Sequence, residues 1–121
     1  MERFLKIGTG WRIGWNPHAT LYPGLLGTDE WAIELTEAEF RDFSRLGIQL
    51  QQAIREIAHE LMTEEKITCE VESELIWLEA EGYPDSYSLH LILQQGRRAE
   101  GTWSGEVVSA LFQALETLTI F

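Results

Sequence analysis

The sequence predicts an α+β fold made of two four-strand-plus-helix units, and three observations carry that prediction. Short runs in which apolar and polar residues alternate lie on both sides of one long amphipathic stretch. That stretch opens on a capping box and keeps its apolar residues at three- and four-residue steps. A second amphipathic stretch closes the chain. With 121 residues there is length for one core but not for two. The units, about 1–63 and about 64–121, are therefore expected to pack on each other around a pseudo-twofold axis as a single domain.

The first third is punctuated by Gly8, Gly10, Gly14, Pro17, Pro23, Gly24 and Gly27, which suits short strands joined by turns. A first strand is expected at about Arg3–Ile7. In a second, Trp11, Ile13 and Trp15 alternate with Arg12 and Gly14, so an apolar face backs onto one with a small residue beside a positive charge. A third is placed near Tyr22–Leu26, and a fourth has Trp31, Ile33 and Leu35 alternating with Ala32 and Glu34.

Thr36 and Glu39 form the capping box, each side chain able to bond the other's amide. From there Phe40, Phe43, Leu46, Leu50, Ile54, Ile57 and Leu61 make one apolar stripe. The helix is expected to reach about Met62, about 40 Å at about 1.5 Å per residue. Gly47 inside it costs about 1 kcal/mol relative to alanine, a cost that close approach of another backbone would explain.

Period two returns with Ile67, Cys69 and Val71 against Thr68, Glu70 and Glu72, making Cys69 a small core residue. Ile76, Leu78 and Ala80 resume the pattern after a turn near Ser73-Glu74 that no glycine or proline marks. Gly82-Tyr83-Pro84-Asp85 is a break. Tyr87, Leu89, Leu91 and Leu93 form the next apolar face, and Gly96 turns the chain into a strand at about Arg98–Trp103. Ser104 is placed to cap a last helix with Val108, Leu111, Phe112, Leu115 and Leu118 as its buried stripe.

Apolar residues at 45% and charged residues at 24% place the chain with folded proteins rather than disordered ones. One cysteine allows no internal disulfide and fits a reducing, cytoplasmic setting. Neither a signal peptide nor a bilayer-spanning run is expected, so no membrane partner is. The formal charge of −11 repels a phosphate backbone unless the cations gather on one face. They are unevenly spread. Arg3, Lys6 and Arg12 stand against Glu2 alone before Thr28, whereas Glu64, Glu65, Glu70, Glu72, Glu74, Glu79, Glu81 and Asp85 stand against Lys66 alone.

No motif points to catalysis. Gly8-Thr9-Gly10-Trp11-Arg12-Ile13-Gly14 has one residue too many for a dinucleotide fingerprint, and a strand follows it where a helix N-terminus must receive the pyrophosphate. His18, His59 and His90 lack a second ligand at metal-binding spacing. No serine stands in a Gly-x-Ser-x-Gly elbow. The acids Glu70, Glu72, Glu74, Glu79 and Glu81 read as a solvated ridge, since water screens carboxylates on a polar face and leaves them ordinary. The expectation is a non-enzyme with no cofactor and no metal.

Two interaction readings remain. The first is a module that binds a protein partner or itself through an open sheet face or through Leu118-Thr119-Ile120-Phe121. The alternative is single-stranded nucleic acid binding, in which tryptophan platforms interleave with cations. Its surface would comprise Trp11, Arg12, Trp15, Arg97, Arg98 and Trp103. The competing use of those tryptophans is to close the core, with their ring N–H groups bonded to backbone.

The runs Gly10-Trp11-Arg12-Ile13-Gly14-Trp15-Asn16-Pro17, Pro23-Gly24-Leu25-Leu26-Gly27, Asp29 to Phe40 and Ile67-Thr68-Cys69-Glu70 resemble the cyanobacterial domain-of-unknown-function family 1818. The resemblance implies a cyanobacterial cytoplasmic protein without an assigned activity. It also implies a fold similar to the Whirly single-stranded DNA-binding regulators, which consist of two four-strand-plus-helix units. The Whirly Lys-Gly-Lys-Ala-Ala-Leu signature is missing here, so no functional residue carries over, and likeness of fold does not transfer function.

Overall fold

The computed structural model describes residues 2–60 and 65–118. In chain order the elements are β1 (Phe4–Gly8), β2 (Trp11–Trp15), β3 (Gly24–Gly27), β4 (Ala32–Leu35), α1 (Glu37–Ala58), β5 (Ile67–Glu72), β6 (Ile76–Tyr83), β7 (Ser86–Leu93), β8 (Glu100–Trp103) and α2 (Val108–Glu116). The strands form two antiparallel meanders, β1-β2-β3-β4 and β5-β6-β7-β8. Short connections fix neighbours in sequence as neighbours in space.

One face of each sheet is apolar because side chains alternate along a strand. Ile13, Trp15, Leu26, Ile33 and Leu35 face inward from the first sheet, and Ile76, Leu78, Ala80, Leu89, Leu91, Leu93 and Trp103 from the second, all buried. Phe40, Phe43, Leu46, Leu50 and Ile54 of α1 and Val108, Leu111, Phe112 and Leu115 of α2 complete a single cluster. The helices bridge the halves. Helix α1 packs mainly on β5 and β6, while α2 packs on β1 and β2 as well as β7. Each helix packs on strands of the other half, so the two share one core.

The Thr36–Glu39 capping box forms as expected, with Thr36 N–H donating to Glu39 Oε1 at 2.8 Å and Glu39 N–H to Thr36 Oγ1 at 3.1 Å. The regular helix ends at Ala58, short of the expected Met62, and Glu60 N–H turns back to the Ile57 carbonyl at 2.9 Å. Leu61 and Met62 lie outside the described residues. Gly47 is explained by a side chain, not a backbone: a Cβ there would stand 2.9 Å from Cε1 of the Phe112 ring.

The unmarked turn after β5 is a serine turn. Ser73 Oγ accepts from the amides of Leu75 (3.1 Å) and Ile76 (3.2 Å) and donates to Asp42 Oδ2 on α1 at 2.6 Å. Strand β6 runs through Gly82 to Tyr83, so the break is confined to Pro84-Asp85. The third strand starts at Gly24, after Tyr22 and Pro23, and the fourth at Ala32, after Trp31. Strand β8 starts at Glu100 because Arg98 adopts φ 54°, a left-handed conformation that ends pairing. Ser104 does not cap α2. Its carbonyl accepts from Val107 N–H at 3.0 Å in a preceding turn, and the N-cap is Val107, which makes no side-chain cap bond.

Candidate functional site

The six residues expected to form a nucleic-acid surface do not come together on one. Trp15 is buried with its ring 5.6 Å from that of Phe40. Trp103 is fully buried, donates its ring N–H to the Gly27 carbonyl at 2.9 Å, and packs near Trp31 and Phe43. Trp103 therefore takes the core use that an indole N–H bonded to backbone permits, and Trp15 packs in the same core. Trp11 is half-buried with its ring lying across Gly8, its register partner on β1.

Two of the three arginines are held by the fold. Arg12 projects past its register partner Gly27 and clamps the β3–β4 turn, with Nε donating to the Thr28 carbonyl at 2.6 Å and Nη2 to the Trp31 carbonyl at 2.9 Å. Arg97 reaches from the β7–β8 loop to the first unit. Its Nη2 donates to the Glu34 carbonyl and to Glu39 Oε1, both at 2.8 Å, and its guanidinium lies 4.3 Å from the centre of the Tyr22 ring. Burial opposes the charge on Arg97, but the bonds to Glu39 and then Tyr22 outweigh it and hold its pKa above the ordinary value. Arg98 alone of the three points into solvent with no bond to the fold among those described.

The outward faces of the two sheets differ in chemistry. On the first, register aligns Leu5, Gly14, Leu25 and Glu34 in one row and Ile7, Arg12, Gly27 and Ala32 in the next. Leu5 is 57% and Ile7 66% exposed. Leu5 and Leu25 close over Gly14, where a Cβ would lie 3.3 Å from each. A shallow cleft of about 200 Å³ runs beside them, bounded also by Arg3, Tyr22 and Glu34. The missed signal was in the first strand, where Phe4, Leu5 and Ile7 leave apolar residues on both faces.

The second sheet's outward face is polar. Glu70 sits directly opposite Glu79, and Glu79 opposite His90. Trp77 donates its ring N–H to Glu70 Oε2 at 3.2 Å and meets His90 edge-on. His90 Nε2 lies 3.3 Å from Glu100 Oε1. Lys66 and Glu81 pair at 2.9 Å, and that hydrogen bond, with the attraction between the charges, raises the lysine pKa and lowers that of the carboxylate. Cys69 is half-buried on the inward side, and burial, then the nearby Glu70 charge, pushes its thiol up.

Among the described residues, Glu39 is the one buried charged side chain, and it is engaged by Thr36 and Arg97. Among the same residues no group of three or more His, Cys, Asp or Glu is placed to hold a metal, and no helix is long and apolar enough to cross a membrane. A second cleft, between Gln51, Arg55, Tyr87 and Ser109, encloses about 170 Å³, below the size that buries most small-molecule ligands.

The chain is similar to a solved structure described as a protein with unknown function from the DUF155 family, from Prochlorococcus sp. NATL2A. The two share 28% identity and superpose with a TM-score of 0.89 over 94% of this chain and 97% of that one. Comparison with curated proteins returned no match. A family model described as domain of unknown function DUF1818 matches residues 6–118. That match spans both sheets and both helices, and the chain belongs to the DUF1818 family.

Proposed function

We propose that the protein is a non-enzymatic, cytoplasmic interaction module of a cyanobacterium that binds a protein partner through the open face of its first sheet. The observation that supports this most directly is the apolar surface of Leu5 and Leu25 around Gly14, with Ile7 in the next row, on the face turned away from the core. Exposed contiguous apolar surface is costly in water and marks interaction sites. The Arg12 clamp keeps this face rigid, which lowers the entropy lost on docking. The repeated four-strand-plus-helix order supports a pseudo-twofold, Whirly-like arrangement.

The single-stranded nucleic acid alternative is weakened by the same geometry. Stacking needs exposed rings, and Trp15 and Trp103 are in the core, while Arg12 and Arg97 are spent on carbonyls and Glu39.

A photo-crosslinking side chain placed at Leu25, with Glu79 on the other sheet as control, tests the proposal in the native cell. Discrete heteromeric adducts at Leu25 and none at Glu79 are expected. Equal labelling at both sites would overturn the assignment of the face. Labelled single-stranded DNA and RNA, titrated across a salt series, should show no saturable binding. Tight binding that weakens with salt would instead establish the alternative.

A further inference from the structure

The cleft of about 170 Å³ lies where three elements meet: α1, the turn between β6 and β7, and the start of α2. Gln51 and Arg55, one helical turn apart on α1, line the first wall. Asp85, Ser86 and Tyr87 line the second, and Ser109 the third. Ser86 Oγ donates to the Gly105 carbonyl at 3.3 Å, which ties the hairpin to the turn leading into α2 and holds those two walls together.

Two opposite charges line this cleft without pairing. Among the described residues the side chains of Arg55 and Asp85 make no ion pair and no hydrogen bond, with each other or with any neighbour. The side chains of Gln51, Tyr87 and Ser109 likewise have no hydrogen-bond partner among those residues. Burial raises the pKa of the Tyr87 phenol and the Arg55 charge opposes that rise, so the guanidinium stands on the phenol's side of the cleft.

Charge and volume together select the ligand. The planar donors of an arginine match a carboxylate, and a glutamine amide and a phenol can each donate to it as well. A simple anion is opposed twice, by Asp85 in the same cleft and by the formal charge of −11 on the chain. A simple cation meets Arg55. A zwitterion is neutral overall and satisfies both groups. At about 30 Å³ for each water, a space of 170 Å³ holds about six, and the smallest α-amino acids are of that size. We propose that this cleft binds a small α-amino acid, with its carboxylate on Gln51, Arg55 and Tyr87 and its ammonium group on Asp85. The site shares no residue with the cleft on the open face of the first sheet, so it stands whether or not that face docks a partner.

Calorimetric titration of the full chain with glycine and with alanine tests the proposal, beside acetate and methylamine, which each carry one of the two charges, and inorganic phosphate. Saturable binding of at least one of the amino acids is expected, with acetate and methylamine weaker by about tenfold or more, the loss of one charge-assisted contact. Arg55→Gln and Asp85→Asn should each weaken amino-acid binding by a similar factor. Both side chains are exposed and unbonded, so circular dichroism should show the fold unchanged. Asp85→Asn should also improve acetate binding, because it removes a repulsion and leaves Arg55 in place. Absence of saturable binding by either amino acid up to high millimolar concentration would overturn the proposal. Binding that either substitution leaves unchanged would do the same, as would phosphate or acetate held as tightly as the amino acids.

Discussion

Glu39 is buried to 4% exposure and serves two structures at once. Its carboxylate closes the capping box of α1 and receives Arg97 from the far half of the chain. Removing one partner of a buried charge pair leaves the other unsatisfied, which costs more than the pair contributes. Arg97→Ala is therefore expected to lower the unfolding free energy by about 2 kcal/mol, reduced from the fully buried range because the arginine is partly solvated. Urea denaturation measures this. Thr36→Ala should cost about 1 kcal/mol in the same assay, the usual loss for an N-cap hydroxyl. Cys69 offers a test by pH. Its thiol is held above the ordinary range, so the neutral form is favoured in the fold. Stability from this group is fully present below the unfolded thiol pKa and declines as pH rises through the folded one. Iodoacetamide at mildly alkaline pH should accordingly alkylate the native chain more slowly than the urea-unfolded chain. Equal rates would show that the thiol is not shielded.

Among the elements, α1 shows how packing overrides local preference. Gly47 weakens a helix by about 1 kcal/mol relative to alanine, yet the space for a methyl group is taken by Phe112 of α2. Gly47→Ala is expected to destabilise the protein despite the gain in helix propensity, because Phe112 is buried and has little room to withdraw. Thermal unfolding checks the sign. Local rules made most of the elements legible. The capping box starts α1 where Thr36 and Glu39 predict, and the alternation of Trp11, Ile13 and Trp15 forms an inward-facing strand as read. Where the reading failed, the cause lies elsewhere in the chain. Ser104 has the chemistry of a cap, but the turn through Val107 places the start of α2 three residues further on. The turn at Ser73 carried its own signal, a serine able to accept from the following amides, and its bond to Asp42 of α1 fixes it from outside.

Across the whole molecule, the bridging of the halves by both helices has a measurable consequence. Because α1 packs mainly on β5 and β6 while α2 divides between β1, β2 and β7, each unit alone would expose apolar surface. Unfolding by urea should be a single transition, with tryptophan fluorescence and far-ultraviolet circular dichroism reporting the same midpoint. Two separated transitions would show that the halves are independently stable.

Composition, periodicity and capping chemistry determined the element order, the inward faces and the absence of recognisable catalytic motifs. Those properties depend on residues close in sequence, so they can be read along the chain. The fate of Trp15, Trp103, Arg12 and Arg97 was decided only by tertiary structure. The same indole can stack on a base or seal a core, and the same guanidinium can meet a phosphate or a backbone carbonyl. For Trp103 the choice depends on Gly27, and for Arg97 on Glu34, Glu39 and Tyr22, partners remote in sequence. The exposure of Leu5 and Ile7 likewise follows from β1 standing at a sheet edge, a position set by how strands assemble rather than by the strand's own residues.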